Sequence, residues 1–227
     1  QRGFIWMSGP QGLSRFNGNN ITHFANNSRD WQTPFIWTNS LTQSENKLII
    51  GTENHGLWEL NTKTGKTSHI PITLPSKTVY HAIKHNGHYY VYTVNPRNLY
   101  RFTPSSNLTS RIKENLLIKG FMKLKNRLYF YNSQGVFEVT ATAIVQKYKG
   151  QIKTAATTEN KIVIITTAEI ITLDTHNNIH RTKLSDDINA IAPATHLKSF
   201  YLVTSKGEIK HFSETLKALS HKYGKTQ

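Results

Sequence analysis

A turn-and-strand unit recurs along this chain, and that recurrence constrains the fold more than any other feature. Phe4–Phe24, FIWMSGPQGLSRFNGNNITHF, reads as an apolar strand (Phe4–Met7), a tight turn at Gly9–Gly12 and a second strand (Leu13–Phe16). An Asn-Gly turn and a short third strand ending at Phe24 complete the unit. Aromatic and aliphatic residues alternate along it, as a pleated, half-buried ribbon requires. The pattern returns as KLIIGTENHGLWELNTKTGKTSHI, Lys47–Ile70. Aligned on the first apolar residue after each turn, the unit recurs at Leu13, Leu57, Leu99, Val136, Ile170 and Ile209. These intervals, roughly 34 to 44 residues, are those of a four-stranded blade.

One such sheet cannot cover both of its faces, so neighbouring sheets must stack against each other around an axis. The expected fold class is all-β: a β-propeller of four-stranded antiparallel blades, about six in this chain, in one domain over 1–227. The first blade lacks an inner strand before Phe4. The second is expected at Phe35–Ser40, Lys47–Gly51, Leu57–Asn61 and Thr67–Ile72, and the third at Thr78–Lys84, His88–Thr93, Asn98–Phe102 and Leu108–Lys113. The fourth follows at Leu116–Leu124, Arg127–Tyr131, Gly135–Val139 and Ala143–Tyr148, and the fifth at Ile152–Thr157, Lys161–Thr166, Glu169–Asp174 and Ile179–Leu184. The sixth is Ile188–Ala194, Phe200–Thr204, Glu208–Phe212 and Leu216–Lys222, with helical periodicity over Ser213–Lys222 as the alternative for its last element. Trp6, Trp37 and Trp58 are expected in the core, as are the alternating aromatics Tyr89, Tyr90, Tyr92, Tyr100 and Phe102.

The first two units resemble the two-component regulator propeller repeat, whose core runs W-I-G-T-x-x-G-L-x-R-[FL]-[DN]. Trp6, Gly12, Leu13, Arg15, Phe16 and Asn17 carry the match in the first copy. In the second it is carried by Ile50, Gly51, Thr52, Gly56, Leu57, Leu60 and Asn61, and the later copies are degenerate. The resemblance implies a periplasmic sensor propeller of a bacterial hybrid histidine kinase or diguanylate cyclase. It further implies a membrane-anchored parent that works as a homodimer, and a stimulus that is often a carbohydrate. Because Gln1 already lies inside the repeat pattern, the chain reads as a fragment of a longer precursor.

Composition narrows the chemistry. The absence of cysteine excludes disulfides, thiolate metal sites and a cysteine nucleophile. No apolar run reaches about 18 residues, so no segment reads as a spanning helix. With 28 Lys+Arg against 13 Asp+Glu the formal charge is +15, which favours an acidic partner. The lysines are scattered through every repeat, as edge-guarding lysines are, and no nucleic-acid motif accompanies them, so no nucleic-acid partner is expected. Neither a nucleophile elbow nor a metalloprotease helix occurs. His81, His85 and His88 are the densest imidazole group but lack an evident further ligand. Asp186-Asp187 reads as a turn between blades. No enzyme activity, metal or cofactor is expected.

Binding is then expected on the loops that join outer to inner strands and second to third strands, on one face of the scaffold. Arg29, Asp30 and Trp31, then His55, Tyr80, His81, Arg97, Gln134, Gln151 and Lys153 fall there. Their ligand is a small molecule, with an acidic oligosaccharide favoured by the basic balance. A docking scaffold for an acidic protein is the alternative, and a secreted glycan-processing enzyme the third reading.

Overall fold

Period-two alternation of apolar side chains, sustained on both sides of the ribbon, produces an all-β chain of the β-propeller class. The computed structural model describes residues 4–24, 33–194 and 198–219. The first sheet has three strands, β1 (Ile5–Gly9), β2 (Gly12–Phe16) and β3 (Ile21–Phe24). The next two are four-stranded: β4 (Thr38–Ser44), β5 (Lys47–Thr52), β6 (Leu57–Asn61) and β7 (Thr67–Ile70), then β8 (His81–His85), β9 (His88–Val94), β10 (Arg97–Thr103) and β11 (Leu108–Lys113). The fourth sheet holds β12 (Gly120–Leu124), β13 (Arg127–Asn132), β14 (Gly135–Val139) and β15 (Ile144–Lys149). The fifth holds β16 (Thr154–Thr157), β17 (Lys161–Ile165), β18 (Glu169–Asp174) and β19 (Ile179–Lys183). The sixth is β20 (Ile188–Ala194), β21 (Ser199–Thr204), β22 (Ile209–Ser213) and β23 (Ala218–Leu219). Every pairing is antiparallel between consecutive strands. One 3₁₀ turn, Pro104–Ser106, is the only helical element among the described residues. The chain divides into two compact units, Gln1–Leu117 and Ile118–Gln227, each with three of the sheets.

In the first unit the fully apolar run of β5 shows why alternation is hidden there. Leu48 and Ile50 pack with Leu13, Phe24 and Phe35 on one side. Ile49, between them, packs with Val79, Tyr89 and Phe102 on the other. A strand covered on both faces needs no polar side, so it reads as a continuous hydrophobic run. In the second unit β17 repeats the arrangement, with Ile162 and Ile164 in one cluster and Val163 and Ile165 in the next. The aromatic group Tyr89, Tyr90, Tyr92, Tyr100 and Phe102 is buried as expected.

The inner strands begin later than the sequence suggests. β4, β8, β12 and β16 start at Thr38, His81, Gly120 and Thr154, two to four residues inside the expected spans. The apolar residues ahead of them, Phe35, Val79, Ile118 and Ile152, are buried, but their backbone is not yet in its own sheet. Val79 N–H donates instead to the carbonyl of Thr52, the last residue of β5 (2.9 Å), and Ile152 N–H to the carbonyl of Ser133, in the turn after β13 (3.2 Å). Phe35, Val79 and Ile152 thereby pack between consecutive sheets of one unit. At the other end, Ser213–Leu219 forms a turn and the short strand β23 rather than a helix; residues 220–227 lie outside the described residues.

Gly51, a motif residue, is explained by the same packing. A Cβ there would lie 2.5 Å from Ser40 Oγ and 2.8 Å from the Val79 carbonyl oxygen. Only hydrogen fits beneath the incoming lead-in. Gly51→Ala is therefore expected to cost about 1–3 kcal/mol by overpacking, read as a lowered urea midpoint with an unchanged m-value.

Candidate functional site

Two aromatic residues that immediately precede inner strands are open to solvent in the first unit. Trp37, before β4, is 50% exposed, and Tyr80, before β8, is 45% exposed; Ile36 beside Trp37 is 62% exposed. Large apolar side chains this open, on a scaffold this ordered, are the informative departure from burial. The expectation that Trp37 belongs to the core is thus corrected. Alternation holds only while the register is regular, and a register shift between Thr38 and Ser40 at the start of β4 breaks it next to Trp37. Trp6 and Trp58 are half-buried against the core cluster of the first two sheets.

The backbone around this aromatic pair is fixed. Glu53 N–H donates to the Trp37 carbonyl (3.0 Å), and Tyr80 N–H donates to the Tyr92 carbonyl (2.9 Å). The Glu53 carboxylate accepts from Asn39 Nδ2 (2.9 Å) and from Thr78 Oγ1 (3.2 Å), while Asn39 also reaches the Val79 carbonyl (3.3 Å). Glu53 thereby clasps the lead-in that carries Trp37 to the one that carries Tyr80. The sequence signal for this was only its place in the turn before Gly56.

His81 follows Tyr80. Its ring is stacked on Tyr92 at 6.1 Å and meets Tyr80 edge-on at 5.2 Å. Burial pushes its pKa down to about 4, because desolvation penalises the charged imidazolium. It is a neutral ring that supports Tyr80, and with that pKa it is not a proton-transfer group near neutrality. Arg97 is exposed at the first position of β10, its carbonyl accepting from Leu116 N–H (2.9 Å). His55 is exposed but lies elsewhere, on a groove of about 460 Å³ also lined by Trp58, His69 and Lys77 and by neither Trp37 nor Tyr80.

In the second unit, Gln134 and Gln151 sit on two touching loops. The Gln134 carbonyl accepts from Gly150 N–H (3.0 Å), next to the Ile152–Ser133 bond. Both side chains are exposed. Lys153, before β16, is paired with Asp187 at 2.6 Å, and Lys119, before β12, donates to the Ile152 carbonyl at 3.3 Å. Asp186 takes a different lysine, Lys210, at 2.5 Å, and that hydrogen bond, with a second from Ser185, holds its carboxyl below the usual range. The two aspartates have separate partners and do not form a dyad. Arg29, Asp30 and Trp31 lie outside the described residues.

Among the described residues no cluster of three or more His, Asp or Glu side chains is placed to hold a metal ion. His88 is bonded to Thr103 Oγ1 (2.9 Å), and His85 lies against the Tyr90 ring, so the imidazoles of this hairpin have separate contacts. What the exposed groups offer is stacking surface and hydrogen bonding.

No family profile matches the sequence, and no curated protein does. Solved structures do match. The extracellular domain of the hybrid two-component system BT3049 from B. thetaiotaomicron superposes with a TM-score of 0.72 at 18% identity, covering 94% of this chain and 32% of that one. The extracellular domain of the hybrid two-component system BT4673 from the same organism gives 0.71 at 13% identity, covering 96% and 33%. YCF48 bound to D1 peptide gives 0.66 at 16% identity, covering 95% and 76%. At these identities the likeness establishes the propeller fold. The chain spans about a third of the length of the two extracellular domains.

Proposed function

We propose that this chain is the noncatalytic recognition part of an extracytoplasmic sensor, with a saccharide as its ligand. Trp37 and Tyr80 carry the proposal: two open aromatic rings at matching positions of successive sheets, clasped by Glu53. Flat apolar rings with a polar rim suit the faces of sugar rings, and their fixed backbone means little ordering is required on binding. Arg97, the first residue of β10 in the same unit, supplies a cation for an acidic sugar. The fold shared with extracellular domains of two-component systems supports a place outside the cytoplasm; the membrane-anchored, homodimeric parent in this reading comes from the repeat resemblance. A ligand would signal there only through differential affinity for two arrangements of the dimer.

The test is calorimetric titration of neutral and acidic oligosaccharides into the chain, with Trp37→Ala and Tyr80→Ala alongside. Loss of a central aromatic contact is expected to weaken binding by about tenfold to a hundredfold with the melting temperature unchanged. Equal binding by all three proteins, or no saccharide bound at all, overturns the reading. The formal charge of +15 favours a second reading, docking of an acidic protein. Steeply salt-dependent association with such a protein, and none with saccharides, would select it.

A further inference from the structure

The groove that takes His55 has a chemistry of its own. Its wall is Trp58, whose indole N–H is already given to the His55 carbonyl (2.7 Å), leaving ring surface as what it offers. That indole is fixed from two sides, by Phe35 at 5.6 Å and by the edge of His69 at 5.1 Å. His55 Nδ1 donates to the Glu53 carbonyl (2.8 Å), which leaves Nε2 as an acceptor. The Lys77 backbone is pinned by Gly56 N–H at 2.7 Å. Among the described residues no carboxylate pairs with the Lys77 ammonium, and none lines the groove. Gly56, at φ +77°, keeps the floor open, since a Cβ there would approach His69 Nε2 to 3.2 Å.

We infer that this groove is a second ligand site, separate from the Trp37–Tyr80 pair, for a small hydroxylated ring that carries one carboxylate. Each part of the ligand answers a group on the page. The ring lies on Trp58, a ring hydroxyl donates to His55 Nε2, and the carboxylate meets Lys77. The volume of about 460 Å³ is that of a site for one or two rings. Two sources share this chemistry, a sugar acid and a hydroxyaromatic acid. The inference is independent of the sensing role proposed above.

The experiment titrates the full chain with sodium D-galacturonate and with sodium 4-hydroxybenzoate, using D-galactose and phenol as carboxylate-free counterparts. One acid is expected to bind at least about tenfold more tightly than its neutral counterpart, as a charge-assisted hydrogen bond requires. Which acid binds identifies the source. Lys77→Ala should remove that advantage, Lys77→Glu should abolish binding, and Lys63→Ala, a lysine outside the groove, should leave it intact. Trp37→Ala should also leave it intact, so failure here is distinguishable from failure of the saccharide reading. Binding of neither acid at millimolar concentration, or unchanged affinity in Lys77→Ala, overturns the inference. Loss of binding in Trp37→Ala also overturns it, by moving the ligand to the aromatic pair.

Discussion

Glu59→Ala is expected to lower the unfolding free energy by about 2–4 kcal/mol, read from urea denaturation at neutral pH. The Glu59 side chain is only 4% exposed and meets Lys47 Nζ at 2.5 Å and Lys84 Nζ at 3.5 Å, while Tyr89 OH donates to it at 2.5 Å. Removing the carboxylate leaves two ammonium groups facing each other and a buried phenol without its acceptor. Lys47 and Lys84 keep 44% and 28% of their side-chain surface, so water screens part of the loss, which sets the estimate at the lower end of buried pairs.

The same cluster predicts acid sensitivity. Burial alone would raise the Glu59 carboxyl, but the hydrogen bonds from Lys47 and Tyr89, with the charges of Lys84 and Lys47, outweigh it and hold the group below its ordinary 4.5. Burial and then the Glu59 bond push the Tyr89 phenol upward. With the folded pKa depressed, the contribution is fully present above about 4.5 and disappears as pH falls through the folded value. Stability measured from pH 6 downward should therefore fall less steeply in Glu59→Ala than in the parent. A parallel fall in both proteins would remove Glu59 from the account. Glu138, with Lys147 at 3.0 Å and Arg127 at 3.7 Å, holds the corresponding place in the second unit. Its side chain is more exposed, at 12%, and its loss should be smaller.

Phe35→Ala should be at least as damaging, about 3–5 kcal/mol, as deletion of a fully buried aromatic ring requires. Phe35 is 0% exposed, lies with Leu13, Phe24, Leu48, Ile50 and Leu60, and touches the Trp58 ring. It is the wedge that seats the lead-in carrying Trp37, so saccharide affinity should fall along with the denaturation midpoint. Phe35→Leu, which refills most of the volume, should recover the larger part of both. A fall in stability with untouched ligand affinity would show that Trp37 is positioned by something else.

Particular residues show how far the sequence was readable. Gly51 and Gly56 announced their turn by pattern, and the structure supplies the steric reason for each. Leu57 and Val136, aligned by repeat spacing, do occupy matching strands β6 and β14. The residues two positions on from them, Glu59 and Glu138, are both buried carboxylates, but nothing in a single copy distinguished either from a solvated acid. Trp37 was misplaced for a definite reason. FIWTNS scans as an alternating strand, yet the register shifts between Thr38 and Ser40, and such an irregularity breaks the period of two. His55, Tyr80 and His81 were grouped by their loops alone. The fold sends His55 to the groove and makes His81 a support for Tyr80.

The sequence by itself determined the repeat, the strand alternation and the turn chemistry, because these depend on neighbours within a few residues along one ribbon. Which side chains remain open was decided only when the sheets stacked. Phe35 and Val79 are consumed as wedges between sheets, and that packing leaves Trp37 and Tyr80, one or two residues further on, with half of their surface in water. The same stacking brings Tyr89 and Lys84 of the third sheet onto Glu59 of the second. Contacts between sheets join residues about 30 positions apart, and no local pattern encodes which of them will meet.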